Sequence, residues 1–201
     1  STFTSGSDTI TINGSTGNET ITAPNLATTI NGGNGDDTIV AGTSNDTLDG
    51  GDGVDSLTGG TGNDVYLFNT NDVDGGERLI ENASEGTDVV GVVTSTDFVN
   101  LPAADFDEIE EIRFAGANQT GTFTGAQFTG ETLNLTETAA GTSNLIINVG
   151  SGTTATFLNM TASTFTSGSD TITINGSTGN ETITAPNLAT TINGGNGDDT
   201  I

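Results

Sequence analysis

The sequence predicts an all-β fold, a parallel β-roll or β-solenoid in which short strands and Gly-rich turns wind into stacked coils. Three observations lead to this prediction. A nine-residue motif repeats four times without a gap between Gly32 and Leu67. Apolar residues recur at every ninth position well beyond those four copies. Short Thr-rich segments then follow one another at a spacing that suits strands.

The four motifs begin at Gly32, Ala41, Gly50 and Gly59 and follow the pattern Gly-Gly-x-Gly-x-Asp-x-apolar-x. Glycine allows the positive φ angles of a sharp turn. The Asp-x-apolar-x half reads as a short strand with one inward side chain. Two motifs make one coil, so loops that are two motifs apart stack on the same edge. This period is the sequence signature of a parallel β-roll.

The apolar register extends to both sides of the Gly-rich copies. Its members stand at every ninth position and should form one continuous buried ladder: Phe3, Ile12, Ile21, Ile30, Ile39, Leu48, Leu57 and Tyr66. Toward the N-terminus the Asp position holds Thr28 and then Glu19, and most glycines are replaced. We therefore expect the coil to continue there as a solenoid without complete metal-binding loops.

Stacking places Asp37 beside Asp55, and Asp46 beside Asp64. Adjacent strands lie about 4.8 Å apart, and two bare carboxylates at that distance repel by about 3 kcal/mol at an effective dielectric constant near 20. A divalent cation turns that repulsion into attraction. Ca²⁺ takes six to eight oxygen ligands, which turn carbonyls and carboxylates can supply. The pattern predicts two strong calcium sites and a weaker third between Glu19 and Asp37.

The candidate calcium-binding residues are the glycines and acidic residues of these loops. Ala41 and Ser44 replace glycines in the second motif, which predicts a poorer loop there. The complete set is Glu19, Gly33, Gly35, Asp37, Gly42, Asp46, Gly51, Gly53, Asp55, Gly60, Gly62 and Asp64, with Gly195, Gly197 and Asp199 in a later copy.

These nonapeptides resemble those of the repeats-in-toxin (RTX) family of secreted bacterial proteins, the hemolysin-type calcium-binding repeats. The resemblance implies a calcium-binding β-roll and an extracellular, cell-surface location. It also implies secretion by a type I exporter, with folding in external calcium. The middle of the chain resembles the Thr-rich stretches of bacterial S-layer proteins that carry the same repeats.

A second feature is a verbatim duplication, because residues 1–39 recur unchanged as 163–201, at an offset of 162. We expect a window on a longer tandem array, in which the coil of one unit runs into the next and a following copy covers the strand at Ile201. An isolated partial duplication is the alternative. The offset equals nine two-motif coils, but the middle of the chain does not keep that register.

Five segments are predicted along the chain. They are a solenoid lead-in (1–31), the calcium roll (32–68), a connector with strands and a short helix between Pro102 and Ile109 (69–119), a Thr-rich β region (120–162), and the start of the next repeat (163–201). The strands after the connector suit a sandwich, a barrel or a calcium-free solenoid. A solenoid is favoured because the last strands run into the ladder at Phe165 and Ile174.

Composition restricts the function classes. The 27 acidic residues face only Arg78 and Arg113, which gives a net charge of −25 and disfavours nucleic acid and anionic membranes as partners. No segment is apolar enough for membrane insertion. Without His, Cys or Lys there is no Ser-His-Asp triad and no ordinary zinc site, so an enzyme is not expected. Glu108, Glu110 and Glu111 could in principle form a glycosidase carboxylate pair, but a solvated acidic edge is favoured.

Three functions remain open. The first is a structural protein, one period of a calcium-stabilised surface layer, sheath or filament. The second is the stalk repeat of an RTX adhesin, and the third is the calcium-roll tail of a secreted hydrolase or toxin. Expected partners are further copies of the chain itself, and cell-surface polysaccharide is a further candidate.

Overall fold

The structure is a computed structural model that describes residues 10–81, 86–165 and 170–201. In those residues the chain is almost entirely β. The strands are β1 Ile10–Ser15, β2 Thr20–Thr22, β3 Thr28–Asn34, β4 Thr38–Val40, β5 Thr47–Asp52, β6 Ser56–Thr58, β7 Val65–Phe68, β8 Arg78–Ile80, β9 Val89–Val92, β10 Thr96–Asp97, β11 Glu111–Phe114, β12 Thr120–Thr124, β13 Asn134–Glu137, β14 Asn144–Asn148, β15 Thr154–Thr156, β16 Thr161–Ala162, β17 Thr171–Asn175, β18 Thr182–Thr184 and β19 Thr191–Asn193. A 3₁₀ turn, Ala103–Phe106, and a short helix α1, Gly125–Phe128, complete the described elements.

The strands stack in parallel on three faces, which confirms the predicted β-solenoid. The first face has the order β1-β3-β5-β7-β9-β11-β13-β16. The second face runs β2-β4-β6-β8, continues through the 3₁₀ turn and α1, and ends with β15-β18. The third face has the order β10-β12-β14-β17-β19 and begins only in the middle of the chain.

The N-terminal coils are two-sided and follow the predicted register. On the first face Ile12 pairs with Ile30, Ile30 with Leu48 and Leu48 with Tyr66, so each step spans two nonapeptides, as the ladder requires. The inward side chains of Ile39 and Leu57 on the second face are fully buried, like Ile30 and Leu48. Each contributes about 1.5–3 kcal/mol by burial. The pairing of the ladder is confirmed from Ile12 onward, but Ile12 and Ile21 are only partly buried and full burial begins at Ile30. Phe3 lies outside the described residues.

After Tyr66 the coils become larger and irregular. Successive first-face partners are Tyr66–Val90, Val90–Ile112, Ile112–Leu135 and Leu135–Ala162. Each of these steps is longer than two nonapeptides, and the steps differ in length from one another. The additional residues build the third face. The middle of the chain thus leaves the register of the roll, as the sequence indicated.

Phenylalanine side chains fill the interior of the three-sided coils. Phe98 and Phe123 stack with ring centroids 4.5 Å apart, and Phe106 meets Phe123 edge-on. Phe68 and Phe128 extend this group, and all five rings are almost completely buried. A three-sided coil encloses a wider space than a flat roll, and aromatic side chains are large enough to fill it.

Two helical turns replace strands on the second face. Asp105 in the 3₁₀ turn accepts hydrogen bonds from the Leu79 amide at 2.9 Å and from Arg78 Nε, which fix the turn to β8. Gln127 in α1 donates from Nε2 to the carbonyls of Phe98 and Leu101, both at 2.8 Å. The helix predicted after Pro102 is therefore present, as a single 3₁₀ turn.

The Thr-rich region 120–162 forms short strands, from β12 (Thr120–Thr124) to β16 (Thr161–Ala162), as its composition predicts. The stretch 69–119, predicted as a connector, contributes four strands to the same stack. No helix in the described part of the chain has the length and apolar character needed to cross a bilayer.

Candidate metal sites

The predicted acidic residues form two ladders along the edges of the roll. On one edge the Glu19 amide donates to Asp37 Oδ1, and the Asp37 amide donates to Asp55 Oδ1, both at 2.7 Å. On the other edge the Asp46 amide donates to Asp64 Oδ1, also at 2.7 Å. The structure therefore brings together the pairs Asp37/Asp55 and Asp46/Asp64 that the two-motif spacing predicts.

These carboxylates are buried in a way that leaves a ligand position open. Asp37 is 1% exposed and Asp55 is 2% exposed. Within the described residues, the Oδ2 atoms of Asp37 and Asp55 are buried and accept no hydrogen bond. The pKa of Asp55 is raised to about 6, mainly by burial and to a smaller extent by the nearby Asp37 carboxylate. A buried carboxylate oxygen without a partner is costly, and a cation between the coils would remove that cost.

The glycines make the room that this arrangement needs. Gly33, Gly35, Gly51, Gly53, Gly60 and Gly62 all have φ between 92° and 140°. A Cβ atom on Gly50 would lie 2.2 Å from Asp55 Oδ2, and one on Gly51 would lie 1.9 Å from the Gly33 carbonyl oxygen. The first glycine therefore admits the carboxylate, and the second admits the backbone of the neighbouring loop.

The loop that ends at Asp46 differs from the others, in agreement with its two replaced glycines. Gly42 does not adopt positive φ. Its amide donates to Asp46 Oδ2 at 3.1 Å, and the Thr28 amide donates to Asp46 Oδ1 at 2.7 Å. Both oxygens of Asp46 are therefore already hydrogen-bonded by the protein. We rank this loop below the loop of Asp55 as a provider of ligands.

Glu19 is also satisfied by the protein. Its two oxygens accept from the Ser15 amide and hydroxyl, both at 2.8 Å, and these hydrogen bonds hold its pKa below the usual value. In the later copy Glu181 has the same contacts with Ser177. Glu19 thus offers less to a cation than Asp37, which agrees with its place in the weaker third site.

The later copy reproduces the loop geometry of the first. Gly195 and Gly197 have φ of 100° and 132°. Asp199 Oδ1 accepts from the Glu181 amide at 3.0 Å, as Asp37 does from Glu19. The candidate residues of the two copies therefore occupy equivalent local positions.

The ladders continue through three residues that the sequence analysis did not select. The Asp55 amide donates to Glu77 Oε2 at 2.9 Å, the Asp64 amide to Asp88 Oδ1 at 2.8 Å, and the Asp88 amide to Glu110 Oε2 at 2.7 Å. The fixed spacing of two nonapeptides misses them because each follows its partner at a longer interval. A usable signal exists, since each is followed two positions later by a buried Leu, Val or Ile, as in the nonapeptides.

The buried residue Glu77 and a cluster of three acidic residues extend the candidate sites beyond the fourth nonapeptide. The pKa of Glu77 is raised to about 8, mainly by burial and to a smaller extent by the carboxylates of Asp55 and other nearby acidic residues. Carboxylate oxygens of Asp64, Glu81 and Asp88 lie within 4.8 Å of one another. This convergence of two buried acidic side chains and a partly buried one matches the hard oxygen donors that calcium takes.

Comparison with known families agrees with this geometry. The RTX calcium-binding nonapeptide repeat profile matches residues 31–66 and 189–201. The chain therefore carries RTX calcium-binding nonapeptide repeats in these two stretches. No curated protein and no solved structure gave a match. RTX repeats are calcium-binding motifs and are typical of secreted, extracellular proteins, and the matched residues include every loop that supplies an Asp ladder residue in the roll.

The residues present fit calcium. In the RTX roll, the loops from Gly32 to Asp37 and from Gly50 to Asp55 would hold the ion through turn carbonyls and the open carboxylate oxygens. The ion would supply positive charge between coils whose acidic edges otherwise repel. The described chain is therefore a calcium-binding repeat region built as a solenoid.

Proposed function

We propose that this protein is a structural extracellular protein, one period of a tandem array that forms a surface layer, sheath or filament. Its unit is the 162-residue repeat, and its stabilising cofactor is Ca²⁺. The array is exported by a type I system and orders in external calcium. It acts through contacts with its own copies and not as an enzyme.

One observation carries the proposal, namely that both identical segments build the same coils. Ile12 pairs with Ile30 in the first copy, and Ile174 pairs with Ile192 in the second. The second copy also stacks directly on strands of the preceding segment, since β17 pairs with β14 and β18 with β15. A unit therefore begins on the end of the unit before it, and the described residues place no capping element between these paired strands.

Charge supports a role for calcium as the trigger of assembly. A net charge of −25 on 201 residues opposes compaction until cations neutralise the edges. Inside a cell, where free calcium is scarce, this opposition favours an unfolded, exportable chain. Outside, calcium binding and folding are coupled, because the sites exist only when the coils are stacked.

Electron microscopy of native material, with and without a chelator, tests this proposal. We expect threads or ordered layers in millimolar calcium and their loss in chelator. Restoring calcium should restore them, whereas equal magnesium should not, because Mg²⁺ requires tight octahedral coordination and keeps its water. Compact single particles that are identical in both conditions would contradict the proposal.

The stalk repeat of an RTX adhesin is the second candidate, because a stack of identical units also suits a long spacer. A row of asparagine side chains runs along the third face, in which Asn175 donates to Asn148 at 3.2 Å and Asn193 donates to Asn175 at 2.8 Å. This row could form lateral contacts in a filament as well as in a stalk. Such a row could also meet cell-surface polysaccharide. A ligand-binding domain beside the array would favour the stalk, and a catalytic domain would favour the tail of a secreted hydrolase or toxin.

A further inference from the structure

We infer that each 162-residue unit is turned about the thread axis relative to the unit before it. The inference deepens the proposed array and rests on it for its extension to many units. Its basis is that identical strands occupy different faces. β1 and β3 belong to the first face, whereas their sequence-identical counterparts β17 and β19 belong to the third. In contrast, β2 and its counterpart β18 both lie on the second face.

The coils of the middle region explain the change of face. The first face narrows to the two-residue pairing of Asn134 and Leu135 with β16 and includes no later strand in the described residues. The third face, which the Phe-filled coils introduce, meanwhile pairs β14 with β17 over five residues. The two-sided roll then resumes between the third and second faces. The three-sided segment thus transfers the roll from one face to another while the second face continues.

The junction between units can be read from the same pairings. Leu145 and Ile147 lie opposite Ile172 and Ile174, which are 4% and 0% exposed. Their identical counterparts Ile10 and Ile12 are only partly buried. Because β17 repeats β1 at an offset of 162 residues, the β14 of a preceding unit would pair with β1 as β14 pairs with β17 here. The surface of β1 is therefore a docking surface for the β14 of another copy of the repeat.

The axial advance per unit follows from the second face. Seven steps lead along it from β2 to β18. At about 4.8 Å a step, the unit advances about 34 Å. This is shorter than the roughly 43 Å of nine uniform coils, because the middle coils use more residues each. A rise combined with a rotation gives the thread helical symmetry, so that its acidic edges and lateral contacts face several directions.

Distances between spin labels test the turn in the full chain itself. The chain has no Cys, so each double variant carries only the two labelled sites. Thr38→Cys with Thr200→Cys reports on the second face, and Thr29→Cys with Thr191→Cys reports on the changing face. All four positions are exposed. Each pair joins equivalent positions of the two identical segments, so the pairs are matched controls for each other.

In calcium we expect the 38/200 pair to lie near the axial advance and the 29/191 pair to be longer by several ångströms. A simple translation without a turn would give both pairs the same distance, and that result would overturn the inference. Circular dichroism of each variant verifies that the label has not disturbed the fold. The measurement needs no filament, so unequal distances in a protein whose native material forms no threads would refute the proposed function and leave the turn in place.

A concatenated chain with several copies of residues 1–162 gives a second test. Electron microscopy should show a rise of about 34 Å per unit together with a constant non-zero rotation. A straight repeat with zero rotation would overturn the inference. A variant concatemer with Phe98→Leu and Phe123→Leu in every copy should lose the regular rotation first, because these rings fill the three-sided coils.

Discussion

Asp55→Asn should destabilise the fold in calcium but not in chelator. Asp55 is almost fully buried, and its Oδ1 accepts the Asp37 amide at 2.7 Å while Oδ2 has no hydrogen-bond partner in the described residues. Asparagine has nearly the same shape and keeps an oxygen acceptor for that amide. It removes the negative charge and one anionic ligand oxygen. The substitution therefore separates metal binding from packing.

The magnitude follows from binding linkage. A site saturated at 100 times its dissociation constant stabilises the fold by about 2.7 kcal/mol. Loss of that site should lower the unfolding temperature in calcium by about 5–10 °C for a chain of this size. In chelator, burial disfavours the charged form of Asp55, as its raised pKa indicates. Removing that charge should then leave the unfolding temperature unchanged or raise it.

Thermal unfolding of the wild type and the variant, each in calcium and in chelator, measures both effects. Asp97→Asn is the matched control, since Asp97 is exposed and lies outside the ladders. The control should follow the wild type in both conditions. If Asp55→Asn and Asp97→Asn gave the same calcium titration, or if Asp55→Asn lost as much stability in chelator as in calcium, the assignment of Asp55 as a ligand would be wrong.

Three further predictions concern calcium, the turns and the aromatic core. Circular dichroism should show a loss of β signal in chelator that added calcium restores and added magnesium does not. Hydrogen exchange should place this loss in residues 38–67 rather than in residues 111–148. An unchanged spectrum and unfolding temperature in chelator would refute this prediction. Gly51→Ala should lower the free energy of unfolding by a few kcal/mol with or without calcium, because Gly51 has a positive φ and an added Cβ would meet the neighbouring backbone. Gly75→Ala, where an added Cβ meets open space, should lower it by less than about 1 kcal/mol. Equal urea midpoints for the two variants would contradict this prediction. Phe98→Ala should lower the free energy of unfolding by about 3–5 kcal/mol, and Leu158→Ala should lower it far less because Leu158 is 60% exposed. Equal losses for the two variants in chemical denaturation would contradict this prediction.

The sequence predicts the roll well because its period is strict. A spacing of two nonapeptides fixes both the pairing of Ile30 with Leu48 and the approach of Asp37 to Asp55. Neither depends on distant packing. The loop of Asp46 was also foreseeable, because two missing glycines change its backbone.

The residues beyond the roll were harder to predict for a physical reason. Once a coil grows beyond two nonapeptides, a fixed period no longer identifies which acidic residue stacks on which, and Glu77, Asp88 and Glu110 are missed. The third face is harder still. Strand spacing reveals that strands exist, but the face they join depends on how Phe98 and Phe123 fill the interior, which no local pattern records.

The two kinds of coil also distribute stability unevenly along the thread. In the roll, the strands β3 to β6 each bury one aliphatic side chain, and the edges of the roll carry stacked carboxylates, so the stability of the roll depends on cations. In the three-sided segment, five aromatic rings are buried, and each can contribute more than an aliphatic residue of the roll. Arg78 and Asp105 pair there at 3.0 Å, so one acidic residue has a protein cation instead of a metal. Calcium should therefore order the rolls, while the aromatic segments between them keep the fold and the turn from unit to unit. In such a thread, removal of calcium should unfold the rolls first, and the aromatic segments between them should unfold later.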